Sequence, residues 1–200
     1  MEFISTELFG GAIVVDLPAC FVDASNIRQV PDNQEVFLDS NGFTSLIFDL
    51  TERVDAPAAG SDEEALKYHF SDIIDEETNE DSTRIWQSGA VGMGKMASHP
   101  AYTLLATQHP PSPKTTTTTP THPPKPTPDF TAILLLLLRL EAQKTDIVVT
   151  INVPHAPGEY AATEVDFEKK QFGALTERAR AALERVRESF EVREWGLFVE

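Results

Sequence analysis

Apolar residues recur at strand and helix spacing along most of this chain. Phe9 to Leu17 reads as a first strand, with Gly10-Gly11 allowing a bulge or close backbone approach at its start and Pro18 closing it. Asp23 to Arg28 reads as a short helical turn with Asp23 as N-cap. Pro31 presets φ for a turn through Asp32 and Asn33, and Glu35-Val36-Phe37-Leu38 follows as a short strand. Asn41-Gly42 is a hairpin signal, so Thr44 to Leu50 is expected to return antiparallel. After a loop with Pro57 and Gly60, Ser61-Asp62-Glu63-Glu64 forms a capping box, and Leu66, Phe70 and Ile73 predict one buried helix face.

Thr83 to Gln87 begins another strand, and Phe130 to Leu140 is the most apolar one. Its run from Ala132 to Leu138, extended across Arg139 to Leu140, is far short of the ~20 residues that span a bilayer. It reads as a strand buried on both faces. Asp146 to Val153 gives the next strand, closed by Pro154, Pro157 and Gly158. Thr163-Glu164-Val165-Asp166 is expected to cap the last helix, whose apolar stripe is Leu175, Ala179, Leu183, Val186 and Phe190. Its other face mixes Arg178, Arg180, Arg185 and Arg187 with Glu177, Glu184 and Glu188, the pattern of a solvated face. Glu191 to Val199 is expected to be partly strand, with Trp195 and Phe198 packed on the core. Strands and helices do not alternate regularly, which favours a mixed α+β sandwich over a doubly wound parallel sheet.

Composition breaks sharply at His109 to Pro128, where eight of twenty residues are proline and seven are threonine. Such a segment has no apolar side chains to bury and is expected to be a disordered or extended surface loop. A single domain over residues 1–200 with an insertion at about 99–129 accounts for this. The 41% hydrophobic content is enough for a sizeable core. The single cysteine, Cys20, excludes an intrachain disulfide and fits a reducing compartment. No basic stretch precedes an apolar run at the start of the chain, so no signal peptide is expected. No basic nuclear-localisation run is seen.

Charge changes the picture. The formal net charge is −16, and residues 1–85 hold 19 acidic and four basic side chains. Nucleic acid and anionic membrane would repel such a half, whereas a basic protein surface would attract it. The acidic stretch Asp75 to Asp81 is either a solvated loop or a second contact for such a partner. Catalytic patterns are weak. Gly89, Gly94 and Lys95 have the spacing of a phosphate-binding loop, but Met96 stands where a hydroxyl should bind magnesium and Pro100 interrupts the helix that should follow. A glycine-rich strand or turn explains the run better. His99, His109 and His122 have no metal-ligand spacing. No serine elbow is present, and neither an enzyme nor a cofactor is expected.

The segment from Arg28 to Leu38 is an acidic corner in which a proline turn and a strand hold Asp32 near Glu35. From residues alone it is either a solvated turn or a protein contact. Val30-Pro31-Asp32-Asn33-Gln34-Glu35-Val36-Phe37 resembles the Mog-type Ran guanine-nucleotide release factors of nuclear transport. Three further stretches match in order: Leu8 to Ala12, Thr145 to Ile147 with Asn152 to Pro154, and Ser189 to Val192 with Trp195 to Phe198. The resemblance covers nearly the whole chain except roughly 99–129. It implies a PsbP-like fold, a mainly antiparallel central sheet with helices on both faces in an α/β/α sandwich. It also implies a monomer in nucleus and cytoplasm that binds Ran and promotes nucleotide release. Asp32 and Glu35 would make the charged contacts, Arg28, Asn33 and Gln34 would add hydrogen bonds, and Phe37 would brace the strand. The alternative is an acidic module for another basic protein, with the fold reused.

Overall fold

The computed structural model describes residues 1–55, 60–74, 82–110 and 127–198. Strands β1 (Phe3–Leu8) and β2 (Ile13–Pro18) form an antiparallel hairpin. The expected single strand from Phe9 to Leu17 is thus corrected at its start. Phe9, Gly10 and Gly11 all take positive φ, at 50°, 66° and 93°, and reverse the chain. Glycine adopts that backbone at little steric cost, so the pair makes a corner instead of a bulge. β1 was missed because Phe3, Ile4 and Leu8 keep no strand period.

Seven strands build the main sheet: β3 (Phe21–Asp23), β4 (Gln34–Asp39), β5 (Ser45–Glu52), β6 (Thr83–Val91), β7 (Ala101–Gln108), β8 (Phe130–Leu140) and β9 (Thr145–His155). Their order is β3-β4-β5-β9-β8-β7-β6, and every neighbouring pair is antiparallel. Helix α1 (Asp62–Ile73) precedes β6. A short hairpin of β10 (Val165–Asp166) and β11 (Gln171–Phe172) leads into α2 (Gly173–Ser189), and β12 (Glu191–Val192) then pairs with β2. β7 lies within the stretch expected to be an insertion, and its buried residues make it an inner strand. Pro57, the acidic stretch Asp75 to Asp81, and residues 111–126 of the Pro/Thr-rich segment lie outside the described residues.

Periodicity in β8 explains its unbroken apolar run. Ile133, Leu135 and Leu137 join a cluster with Ala65, Leu66 and Phe70 of α1. Leu134, Leu136, Leu138 and Leu140 join another with Ala179, Ala182, Leu183 and Val186 of α2. Successive strand residues point to opposite sides of a sheet, so both sets must be apolar. In α1 the cap is as expected, with Ser61 Oγ accepting from the Glu64 amide at 3.3 Å. Ile73 is 37% exposed and stands outside the buried face.

Residues 163–166 do not cap α2 directly, because β10 and β11 intervene. Glu164 nevertheless reaches the helix start across that hairpin, accepting from the Ala174 amide at 3.2 Å. The glycine-rich run near Lys95 serves packing. Gly94 N donates to Arg187 O at 3.0 Å, and a Cβ on Gly94 would clash with Glu188 O, so a larger residue there must displace the end of α2. Lys95 Nζ donates to Glu191 Oε2 at 2.8 Å.

Candidate protein-binding site

The acidic corner lies at the start of β4, toward one edge of the main sheet. Gln34 N donates to Pro31 O at 2.9 Å, which closes the turn. Arg28, Asp32 and Asn33 are exposed, Gln34 and Glu35 half-buried, and Phe37 buried. Arg28 follows a turn capped as expected, with Asp23 Oδ1 accepting from Ser25 N at 2.7 Å. Phe37 packs edge-on against Phe48, ring centroids 6.3 Å apart, and Phe48 stacks on Phe190 at 6.4 Å. That aromatic row fixes β4 to the core.

Glu35 has a structural duty that its spacing did not reveal. Its Oε1 accepts from Phe9 N at 2.7 Å. The corner is therefore clamped to the left-handed turn at Phe9–Gly11, which brings together two segments of the resemblance. A third lies beside them, because Arg193 N and Glu194 N, between its two stretches, donate to Ala12 O at 2.8 and 3.1 Å.

Asn33 and Gln34 are engaged inside the molecule. Asn33 Nδ2 donates to Asp49 Oδ1 at 2.9 Å, and Gln34 Nε2 donates to Asp49 Oδ2 at 3.0 Å. Burial pushes the Asp49 carboxyl above its ordinary range, while these two bonds act the other way. Asp49 is a member of the corner that the sequence reading missed. The signal was present: the hairpin at Asn41-Gly42 sets a register in which Gln34 faces Asp49.

A buried ionic cluster was also missed. Asp146 Oδ1 accepts from Arg139 Nε at 3.0 Å, while Asp146 Oδ2 accepts from Val54 N at 3.0 Å and lies 2.9 Å from His69 Nε2. Arg139 also donates to Asp62 and to Val54 O. Asp146 is fully buried and Arg139 is 3% exposed. Burial raises the Asp146 carboxyl, but the bonds from His69, Val54 and Arg139 outweigh it and hold the group below its ordinary range. Asp146 belongs to the matched stretch Thr145 to Ile147, and here it organises the interior. Among the described residues, no cluster of three or more His, Cys, Asp or Glu is placed to hold a metal ion, and no helix is long and apolar enough to cross a membrane.

Residues 6–154 match the family described as Ran-interacting Mog1 protein. A probable ran guanine nucleotide release factor of Dictyostelium discoideum is 31% identical over 155 residues, covering 75% of this chain and 73% of that protein. Nuclear import protein mog1 of Schizosaccharomyces pombe is 44% identical over 88 residues, which span 43% of this chain and less than half, 44%, of that relative. The crystal structure of the Saccharomyces cerevisiae Ran-binding protein Mog1p is similar at a TM-score of 0.74 and 26% identity, covering 100% of both chains. Likeness of fold alone extends to PsbP of Synechocystis, at a TM-score of 0.53 and 10% identity over 95% of this chain and 92% of that one. With residues 6–154 matched by the family and the fold shared with a Mog1 crystal structure, the chain belongs to the Mog1 family.

Proposed function

We propose that this chain binds the small GTPase Ran through its acidic corner and promotes release of the bound guanine nucleotide, in support of nuclear import. Family membership and the names of its relatives support the partner and the process. The observation that carries the site is the clamp from Glu35 to Phe9, which holds an acidic surface ready-made. A preset surface avoids the ordering cost that a loose loop would incur on binding.

A GTPase grips phosphate and magnesium with a lysine and a backbone cradle. Exposed Asp32, half-buried Asp49 and the second oxygen of Glu35 would draw basic groups of the partner toward them. Nucleotide release then follows only if the corner binds the nucleotide-weak state better than the nucleotide-bound one. Arg28 adds hydrogen bonds at the rim. Asn33 and Gln34 act through Asp49, and Phe37 braces the strand. In this reading the single domain is an α/β/α sandwich with a helix on each face of the sheet. The alternation of the two apolar clusters along β8 supports that arrangement. The protein is a regulatory binder, not an enzyme, acting as a monomer in nucleus and cytoplasm without nucleic acid or membrane.

The test is release of a fluorescent guanine nucleotide from Ran by wild type, Asp32→Lys and Glu35→Gln. Wild type should accelerate release and Asp32→Lys should lose most of that effect. Acceleration by Asp32→Lys equal to wild type would move the site elsewhere. An absence of both acceleration and a complex with Ran would favour an acidic module for another basic protein.

A further inference from the structure

Beside the acidic corner lies a cleft of about 610 Å³. Leu50, Leu197 and Phe198 supply its apolar surface. Leu50 joins it to the corner, because Leu50 N donates to Asn33 O at 2.9 Å and Asn33 Nδ2 donates back to Leu50 O at 3.2 Å. Cleft and corner are thus two parts of one continuous surface.

The charged lining is balanced, unlike residues 1–85 taken together. Glu52 and Asp55 stand against Arg53 and Lys144, two carboxylates and two cations. Arg53 is ion-paired with Asp55 and lies 3.9 Å from Asp62. A charge-balanced rim favours neither a cation nor an anion, although the corner next to it favours cations. The walls are also fixed. Arg53 N donates to Lys144 O at 2.9 Å, and Val54, between the lining residues Arg53 and Asp55, is held by Asp146 and Arg139. On the same C-terminal turn as Leu197 and Phe198, Trp195 is 37% exposed and stacks on His99 at 5.6 Å.

We propose that the Ran interface continues into this cleft, which receives an uncharged turn of the partner carrying a bulky apolar or aromatic side chain. This rests on the Ran-binding reading above. An apolar floor inside a polar rim is the arrangement in which a few desolvated side chains carry most of an interface's energy. The cleft falls within the ~300–1,000 Å³ range of binding pockets and is larger than one side chain needs, so it takes a short turn. Charge balance selects for a neutral occupant, and continuity with the corner selects for the same partner. The acidic corner would steer the encounter, and the cleft would set how long the complex lasts.

The experiment measures Ran affinity at low and high salt for wild type, Asp32→Lys, Gln143→Trp and Leu197→Asp. Gln143→Trp fills the cleft from its rim, and Leu197→Asp puts a charge on its floor. Thermal midpoints identify any variant that fails to fold, and Gln143→Trp alters a rim side chain outside the apolar cores. Both cleft variants should weaken binding about tenfold or more, and the uncharged Gln143→Trp should do so with the salt dependence of wild type. Asp32→Lys should weaken binding and flatten the salt dependence. Wild-type affinity in folded cleft variants, alongside weakened Asp32→Lys, would overturn the cleft and leave the corner standing. Failure of wild type to bind Ran at all would overturn the Ran reading and the cleft with it.

Discussion

Replacing Asp146 by alanine should destabilise the fold by ~3 kcal/mol. The side chain is fully buried and accepts from Arg139 Nε and Val54 N, each at 3.0 Å, with His69 Nε2 at 2.9 Å. Its removal leaves the Val54 amide and a 3%-exposed guanidinium short of an acceptor. Breaking a buried ion pair from one side costs ~3–5 kcal/mol. Arg139 keeps its bonds to Asp62 and Val54 O, which places the expected loss at the lower end. For a chain of this size ~1 kcal/mol moves the melting midpoint by ~2–4 °C, so a fall of ~6–12 °C is expected. Circular dichroism against temperature and urea at neutral pH measures both quantities. The sign with pH follows from the lowered Asp146 carboxyl. Its stabilisation is fully present above the ordinary carboxylate value of ~3.9 and is lost as pH falls through the lower folded value. The gap between wild type and variant should therefore narrow in acid. A loss under ~1 kcal/mol at neutral pH would refute the view that this cluster holds the interior together.

Three other outcomes can be measured with the same protein. Glu35→Ala should lose ~1.5–3 kcal/mol by freeing the Phe9 amide from a charged acceptor, whereas Glu35→Gln keeps an acceptor and should lose less; equal losses in urea titrations would contradict the clamp. Gly94→Ala should cost ~1–3 kcal/mol, because the new Cβ clashes with Glu188 O, and an unchanged urea midpoint would show that the α2 end yields freely. Phe48→Ala should cost ~3–5 kcal/mol by opening a cavity between Phe37 and Phe190, with chemical denaturation as the check.

Much of the architecture was legible locally. The Asn41-Gly42 hairpin, the Asp23 and Ser61 caps, the apolar run of β8 and the stripe of α2 each depend on residues within a few positions of one another. So did the acidic corner, whose proline turn and strand form as read. Misreadings arose where a local signal allowed two geometries. Gly10-Gly11 permits either a bulge or a reversal, and the partner strand Phe3–Leu8 decides for reversal. Thr163 to Asp166 looks like a cap, yet pairing of Val165 and Asp166 with Phe172 and Gln171 delays the helix to Gly173.

The sequence by itself determined strands β4, β5, β8 and β9, both helices, the uneven charge and the position of the corner. These follow from periodicity, turn chemistry and composition, which need no knowledge of distant neighbours. Only the tertiary structure decided that Glu35 clamps Phe9, that Asn33 and Gln34 serve Asp49, and that His69 meets Asp146. Those pairs are 26, 16, 15 and 77 residues apart. A hydrogen bond acts only over about 3 Å, so which carboxylate stays free for a partner is settled by the packing of strands and turns around it.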